Sequence, residues 1–600
     1  MSSAEGPPLQ RVGALADVID ALPSALRHRG HEVSVALPFY REIRENRAFK
    51  RKDTGITVDV QVGDTTHVAR YLEGRSATGV QLFFIRCDEF FDRAGIYGER
   101  GKPYEDNAAR FIFFSKAIVE LARRLTPQLE IVHVHDWAPA LVPVFLHAHG
   151  LPFGTVLTIH HVADQGSFWR LDFHLTNLPD RFFTLNGVEF FGRLNFLKGG
   201  ILYADRITTA SEHYRREILT PSGGCGLDGV LRENAHRLSA ILDGVDYTRW
   251  NPAADRILPA RYDPRRLRGK EVCREALLKQ MSLAPDPRGP VFGMVSRVVQ
   301  EKGFEILVPL LDRLLWDDVR LIILGEGDPA FETALAVTAR KFRTKFAYQK
   351  DYDEKVAHLI QAGMDISLIP SRFEPAGLGA MYSLKYGALP VARVTGGIQE
   401  IIEDYDPTTD RGYGFLCYEY SSDAFWDAVK RARQIFRDQR LWTKLMKRAM
   451  AHNFSWKASA QHYEALYREL VGTAEAAADL VHGVTGTCRL SLCKKGERIE
   501  VRGSSDPHGL VINPHLRPLP YEGRGDRFRA RALWLRSART CGTLGGFFSP
   551  EKLWLTQSSE LVAGNFGSRK ATHSMSIFSM WNRAKLPRSV MYCCLPTEKI

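Results

Sequence analysis

Apolar runs of strand length alternate with stretches of helical periodicity from about residue 10 to residue 470. Continuous apolar runs bounded by turn residues are typical of buried parallel strands, and the periodic stretches between them suit crossover helices. In the front half we predict a helix at 106–124 and strands at 33–37, 82–85, 130–135, 155–160, 206–210 and 238–242. This alternation predicts an α/β protein with doubly wound parallel sheets.

A second series of strands comes after a linker rich in Pro and Asp at about 251–264. We predict its strands at 291–295, 319–324, 345–348, 366–369, 389–393 and 414–416. Two series joined by a short linker predict two Rossmann-like domains, an N-terminal one at 1–250 and a C-terminal one at 264–455, with a cleft between the carboxyl edges of their sheets.

The two ends of the chain do not share this pattern. Residues 1–10 contain two prolines, Glu5 and no apolar run, so we expect no strand there. Residues 473–600 show no sustained periodicity, and we expect this tail to be disordered or a non-native extension. A basic appendage that binds a polymer or nucleic acid is the alternative, but no RNA-binding or zinc-finger motif supports it.

The charge and the cysteine content do not alter the predicted domain organisation. From residue 488 onward there are 19 Lys and Arg against 8 Asp and Glu, so the tail accounts for nearly all of the net charge of +12, and we expect no nucleic-acid partner for the body. The spacing of the tail cysteines matches no tetrahedral metal site. No apolar run approaches 18 residues and the amino terminus lacks the regions of a signal peptide, so we expect a cytoplasmic protein without a membrane partner.

Two short motifs carry the candidate chemistry. Ser296-Arg297-x4-Lys302-Gly303 comes directly after one predicted strand, and Glu374-Pro375-Ala376-Gly377-Leu378 after another. Both motifs therefore lie in loops at carboxyl ends of parallel strands, where open α/β sheets bind ligands. Two cations and a carboxylate suit a diphosphate leaving group and a sugar bearing hydroxyls.

These motifs resemble those of the bacterial glycogen and starch synthases in their order, in their spacing and in the strands that precede them. The resemblance covers about residues 11–470. It implies the GT-B architecture, with a crossover helix at 456–472 that packs back on the first domain. It also implies a hexosyltransferase that moves glucose, with retention, from ADP-glucose (or UDP-glucose) to an α-1,4-glucan acceptor.

On the donor side, the resemblance implies that Arg297 and Lys302 neutralise the diphosphate. It also implies that Glu374 lies under the donor sugar and either contacts its hydroxyls or supports the transition state. It places the remaining donor-binding residues in three loops, of which the first, Arg11-Val12-Gly13-Ala14, replaces the Lys-x-Gly-Gly of the family. These remaining residues are Arg11, Gly13, Gly377, Leu378, Thr395, Gly396 and Gly397.

Further residues match the family in the first domain. Thr158-Ile159-His160-His161 puts His160 beside the donor sugar, and Asp136 either orients an acceptor hydroxyl or caps its loop. Acceptor-side residues are implied at Asp17, Tyr97, Tyr104, Asn107 and Trp137. No metal and no cofactor is expected.

Two other functions stay open. One is a retaining GT-B transferase with another donor or acceptor. The other is a catalytically impaired glucan-binding paralogue, suggested by Arg11, Ala14, Ala138, Asp243 and the strand that we expect to be missing at the amino terminus.

Overall fold

The computed structural model of the chain describes residues 1–7, 14–99, 101–125, 129–285, 289–482, 490–494 and 497–501. The chain divides into two compact units, Met1–Leu480 and Val481–Ile600. The first unit contains both series of predicted strands.

Within the described residues, the front half of the first unit combines thirteen strands with eight α-helices. The helices are α1 (Ala14–Arg27), α2 (Arg41–Glu45), α3 (Asp88–Phe91), α4 (Asn107–Leu125), α5 (Val142–Ala148), α6 (Phe196–Tyr203), α7 (Glu212–Glu217) and α8 (Asp228–Glu233). The strands are β1 (Ser34–Pro38), β2 (Arg51–Val62), β3 (Thr65–Arg75), β4 (Gln81–Arg86), β5 (Gly98–Glu99), β6 (Lys102–Pro103), β7 (Ile131–His135), β8 (Gly154–Ile159), β9 (Ser167–Phe168), β10 (Glu189–Phe190), β11 (Arg193–Asn195), β12 (Arg206–Thr209) and β13 (Leu238–Ala240).

The amino-terminal segment lies in the middle of the first sheet, and this corrects the expectation that residues 1–10 supply no strand. Ser2 bridges β1 on one side, in parallel with Ala36, and β7 on the other, in parallel with Val134. Its N–H donates to His133 (2.9 Å) and its carbonyl accepts from His135 (3.1 Å). No apolar run is needed because pairing uses the main chain, and the small side chains of 2–4 are almost fully buried between the two strands. The missing strand therefore no longer supports an impaired paralogue.

This segment joins two four-stranded sets, ordered β2-β3-β4-β1 and β7-β8-β12-β13. The central pairings are parallel, as predicted, but β2, β3 and β4 are antiparallel neighbours. Our prediction omitted β2 and β3. Their outward positions are polar and exposed, so they lack the continuous apolar run by which the other strands were identified.

The second half contains a six-stranded parallel sheet ordered β16-β15-β14-β17-β18-β19. Its strands, which confirm the predicted ones to within one residue at either end, are β14 (Val291–Val295), β15 (Arg320–Leu324), β16 (Phe346–Gln349), β17 (Ile366–Ile369), β18 (Leu389–Arg393) and β19 (Phe415–Cys417). Its helices are α9 (Arg268–Gln280), α10 (Phe304–Leu307), α11 (Leu311–Leu315), α12 (Pro329–Lys341), α13 (Glu354–Gly363), α14 (Leu378–Lys385), α15 (Ile398–Ile401), α16 (Ser422–Phe436) and α17 (Gln439–Ala451).

Helix α18 (Trp456–His482) returns to the first sheet. Its Tyr467 hydroxyl lies 2.7 Å from Nδ1 of His133, and the Ser459 hydroxyl donates to the carbonyl of Leu242. The helix runs ten residues past the predicted end at 472, since the Ala-rich stretch beyond that point has high helix propensity. Among the described residues, none of the helices combines the length and the hydropathy that crossing a bilayer requires.

The second unit contributes two described strands, β20 (Leu490–Lys494) and β21 (Glu497–Val501), which pair in antiparallel fashion. These ten residues have regular structure where the sequence predicted none. Apart from these strands and the end of α18, the predicted tail lies outside the described residues.

Candidate active site

The two motifs of the second domain meet at the carboxyl ends of β14 and β17, which are hydrogen-bonded neighbours. Gly303 (φ +81°) lets the loops touch, because a Cβ at that position would collide with the carbonyl oxygen of Pro370. Lys302 Nζ lies 2.6 Å from Glu374 Oε2, which also accepts from the Ser371 hydroxyl at 2.9 Å. The fold thus brings together the cation and the carboxylate that the sequence predicted as partners in one site.

Arg297 lies on the side of this pair that faces the first domain. Its guanidinium is half exposed and lies 3.8 Å from Glu301 Oε2. Its charge acts on Glu5, where it favours the ionised carboxylate, and on the protonated form of His161, which it disfavours. Arg297 therefore lies at the cleft between the two sheets, with an accessible cationic group.

Across the cleft, the ends of β7 and β8 place Asp136 beneath His160. Asp136 adopts φ +56°, and its Oδ1 accepts from the backbone N–H of His160 at 2.7 Å and of His161 at 3.3 Å. The carboxylate therefore fixes the loop that carries both histidines. Burial raises the pKa of Asp136, although the nearby His160 counteracts part of that shift.

Both nitrogens of the His160 ring lie near polar side chains. Its Nε2 lies 3.1 Å from Nδ1 of the buried His135, and its Nδ1 lies 3.7 Å from Oδ2 of Asp243. Burial lowers the pKa of His160, but the carboxylates of Asp136 and Asp243 outweigh that effect, so the net shift is upward. The contact with His135 therefore orients the ring, and the two carboxylates favour its protonated form.

Glu5 is a site residue that the sequence analysis missed. It is only 5% exposed, and its Oε1 accepts from the Tyr97 hydroxyl at 3.0 Å, whereas Oε2 has no hydrogen-bond partner among the described residues. Burial raises the pKa of Glu5 to about 7, against the opposing hydrogen bond from Tyr97. The sequence analysis did not identify Glu5 because it lies within residues 1–10, where no strand was expected.

The predicted acceptor residues occupy different environments. The Tyr97 ring packs against Trp137, with centroids 5.6 Å apart. Tyr104 packs instead between guanidinium groups, and Asn107 donates to the Tyr97 carbonyl at 2.9 Å, so these two hold the loop that carries Tyr97. Asp17 accepts from the Tyr382 hydroxyl of the second domain at 3.2 Å. Whether any of the five contacts an acceptor stays a prediction.

The Thr395-Gly396-Gly397 loop lies against the Glu374 loop. Gly397 N–H donates to the Glu374 carbonyl at 3.0 Å, and Gly396 N–H donates to the Glu217 carboxylate at 3.2 Å. The Thr395 hydroxyl donates to Glu217 at 3.0 Å. These groups, predicted to meet a donor phosphate, therefore have protein acceptors in this structure.

The backbone N–H groups at the start of α14 differ from those of the Thr395-Gly396-Gly397 loop. Gly377 (φ +75°) precedes the helix, and its N–H and that of Leu378 have no acceptor among the described residues. Arg11 and Gly13, the other predicted donor-binding residues, lie outside the described residues.

Ser211, His213 and Glu217 of the first domain form a set of contacts to the second domain that we call the clasp. The Ser211 hydroxyl donates to the Pro375 carbonyl at 2.7 Å, and the His213 N–H donates to Glu400 at 2.8 Å. Glu217, which accepts from Thr395 and Gly396, also lies 3.2 Å from His213 Nε2. The cleft is therefore closed by direct hydrogen bonds next to the Glu374 loop. The bonded residues are too far apart in the sequence for a local pattern to predict these contacts.

Comparison with known proteins agrees with this geometry. Residues 1–233 match the starch synthase catalytic domain, and residues 279–449 match the glycosyl transferases group 1 family. A glycogen synthase of Opitutus terrae is 41% identical over 473 residues, which is 77% of this chain and 97% of that protein. One from Anaeromyxobacter sp. (strain Fw109-5) is 42% identical over 475 residues, 78% of this chain and 98% of that protein.

Solved structures agree as well. The catalytic domain of starch synthase IV from Arabidopsis thaliana, bound to ADP and acarbose, superposes with a TM-score of 0.74 at 30% identity, covering 78% of this chain and 98% of that one. A sucrose-phosphate synthase from Thermosynechococcus elongatus shares the fold, with a TM-score of 0.51 at 16% identity over 79% of this chain and 98% of that one. The closed GT-B cleft, its charged loops and these matches together show that the chain belongs to the glycogen synthase family of glycosyltransferases.

Proposed function

We propose that this chain elongates an α-1,4-glucan by transferring glucose from ADP-glucose to its non-reducing end, with retention of configuration. The observation that carries the proposal is the Lys302–Glu374 pair beside Arg297, opposite His160 and Asp136. ADP as the nucleotide is supported by its presence in the starch synthase IV structure, to which this chain is 30% identical.

In this proposal the C1–O bond between glucose and the diphosphate breaks, and the departing charge is stabilised by groups fixed in advance. Arg297 offers a planar fork and Lys302 a point charge. The N–H groups of Gly377 and Leu378 lie at the positive end of α14, an eight-residue helix. Such preorganised donors are most effective where charge develops in the transition state.

Glu374 acts as a positioning group for the sugar. Its carboxylate is fixed by Lys302 and Ser371, so it serves as a fixed acceptor for sugar hydroxyls rather than as a free nucleophile. We therefore propose front-face substitution, in which the acceptor hydroxyl bonds to C1 on the face that the diphosphate leaves. Its proton passes to the departing phosphate oxygen.

On the other side of the sugar, Asp136 and His135 hold His160 in a fixed orientation. Tyr97 and Trp137 offer aromatic surface to the glucan.

A donor competition experiment tests the proposal. Purified protein is incubated with glycogen and either ADP-glucose or UDP-glucose, and the anomeric proton of the product is examined by NMR. We expect faster transfer from ADP-glucose and new α linkages. Preference for UDP-glucose would overturn the donor assignment, β linkages would overturn retention, and no transfer from either would favour the glucan-binding paralogue.

A matched pair of variants connects the result to the site. Lys302→Met removes a lysine paired with a glutamate inside the cleft, whereas Lys350→Met removes one paired with Glu332 at 2.8 Å outside it. Only the first substitution should lower the transfer rate, because only Lys302 lies where the diphosphate charge develops.

A further inference from the structure

Three potential metal ligands converge on the first domain outside the cleft. His67 belongs to β3, Cys87 comes directly after β4, and Glu89 belongs to α3. One ligand atom from each, a ring nitrogen, the thiol sulfur and a carboxylate oxygen, lie within 4.8 Å of one another. We propose that these three residues form a binding site for a divalent cation with affinity for thiolate, and that zinc is the ion they suit best.

The donor set supports zinc over the hard cations. Zinc accepts thiolate, imidazole and carboxylate ligands together, at about 2.3 Å for sulfur and 2.0–2.2 Å for nitrogen and oxygen, whereas magnesium and calcium select oxygen ligands. A tetrahedral ion with these bond lengths requires its ligand atoms to be about 3.5 Å apart. The three ligand atoms, which lie within 4.8 Å of one another, would have to approach by up to about 1.3 Å to reach that geometry.

Two of the ligands are fixed and the third is free to adjust. The His67 ring packs between Phe90 and Phe113, with centroids 4.6 Å and 6.2 Å away, and both His67 and Cys87 are 9% exposed. Glu89, by contrast, is 65% exposed, and its Oε2 lies 2.9 Å from His67 Nδ1. A small rotation of Glu89 would open the space for an ion, with the fourth position facing solvent.

The neighbouring charges do not compete for the same ligands. Arg86 makes a two-point contact with Asp88, at 2.8 Å and 2.6 Å, and so leaves the Glu89 carboxylate available. Arg93 donates to the backbone carbonyl of Glu89 and not to its side chain. An ion bound here would tie β3 to the segment that leads into the Tyr97 loop.

The test uses the full chain in a background in which serine replaces the tail cysteines, since these could bind metal themselves; they are Cys488, Cys493, Cys541, Cys593 and Cys594. Zinc binding is measured by calorimetry, and cobalt is added as a spectroscopic substitute because a thiolate ligand gives it a charge-transfer band. We expect one zinc per chain, and a cobalt band that is lost in Cys87→Ser and shifted in His67→Gln.

Cys225→Ser is the matched control, since Cys225 is a half-buried cysteine outside the cluster. It should retain both the zinc and the cobalt band. Zinc should also raise the melting temperature of the background protein and of Cys225→Ser, but not of Cys87→Ser. Unchanged stoichiometry and spectrum in folded Cys87→Ser and His67→Gln would overturn the proposal, as would the absence of zinc binding by the background protein.

Discussion

Replacing Glu5 by Gln should stabilise the protein above neutral pH, an unusual outcome for a change at a buried cleft residue. Gln keeps the acceptor for the Tyr97 hydroxyl but carries no charge. It therefore removes the cost of ionising a carboxyl group that is 5% exposed and has one oxygen without a partner among the described residues.

The size of the expected stabilisation follows from the pKa of Glu5. Burial raises the pKa of Glu5 from its ordinary 4.5 to about 7. Since a tenfold change in proton affinity is worth about 1.4 kcal/mol, ionisation in the folded protein costs about 3 kcal/mol more than in the unfolded chain. Between pH 4.5 and about 7 the unfolded chain binds fewer protons, so the free energy of unfolding falls as pH rises through this window.

The assay compares the free energy of unfolding of wild type and Glu5→Gln by urea titration at pH 5 and pH 8. We expect a small difference at pH 5 and an advantage of about 3 kcal/mol for the variant at pH 8. Glu32→Gln, at an exposed position, is the control and should show no such change. A variant that is equally stable, or less stable, at pH 8 would mean that ionising Glu5 does not destabilise the folded protein.

Two further substitutions test contacts on which the closed cleft and the second domain depend. In the absence of ligand, Glu217→Ala should speed hydrogen exchange at the Gly396 amide by about tenfold, because this N–H loses its acceptor across the cleft. Mass spectrometry of the peptide that contains Gly396 measures the exchange rate. Asp255→Ala should lower the free energy of unfolding by about 3–5 kcal/mol, because it leaves His358 and Tyr386 without their shared buried acceptor. The midpoint of urea denaturation measures the loss of stability.

The controls are variants that leave these contacts in place. Glu233→Ala, at an exposed position of the first domain, should not change exchange at Gly396. Equal exchange in Glu217→Ala and wild type would mean that the clasp does not protect this N–H.

For Asp255→Ala, the pH dependence of the loss of stability tests whether the contact with His358 is the cause. Burial lowers the pKa of His358, but Asp255 and Glu354 outweigh it, and burial raises the pKa of Asp255, but His358 and Tyr386 outweigh it. The contribution of the pair is therefore largest between about pH 3.8 and 6.5, and a loss that grows at higher pH would contradict this account.

Much of the fold could be predicted from the sequence because buried parallel strands form continuous apolar runs. The same rule found the loops with Lys302 and Glu374, since each comes directly after such a run. It failed at residues 1–3, which pair through the main chain without an apolar run, and at β2 and β3, where one face is polar.

The contacts that sequence could not reveal are those between distant residues. Glu217 and Gly396 are 179 residues apart, and neither lies in a pattern that indicates the other. His67 lies in β3 and Cys87 directly after β4, twenty residues later, so their spacing resembles no metal motif. Such constellations depend on how β3 and β4 pair and how the cleft closes, which become visible only in three dimensions.

The central claim is that Glu374, fixed by Lys302, supports glucose transfer to a glucan. The most direct test is incorporation of labelled glucose from ADP-glucose into glycogen by wild type, Glu374→Gln and Glu332→Gln, the last being a glutamate that also pairs with a lysine but lies outside the cleft. The account predicts transfer by wild type and Glu332→Gln, and a loss of about 10²–10³-fold in Glu374→Gln. Wild-type rates in Glu374→Gln, or no transfer by folded wild type from either ADP-glucose or UDP-glucose, would contradict it.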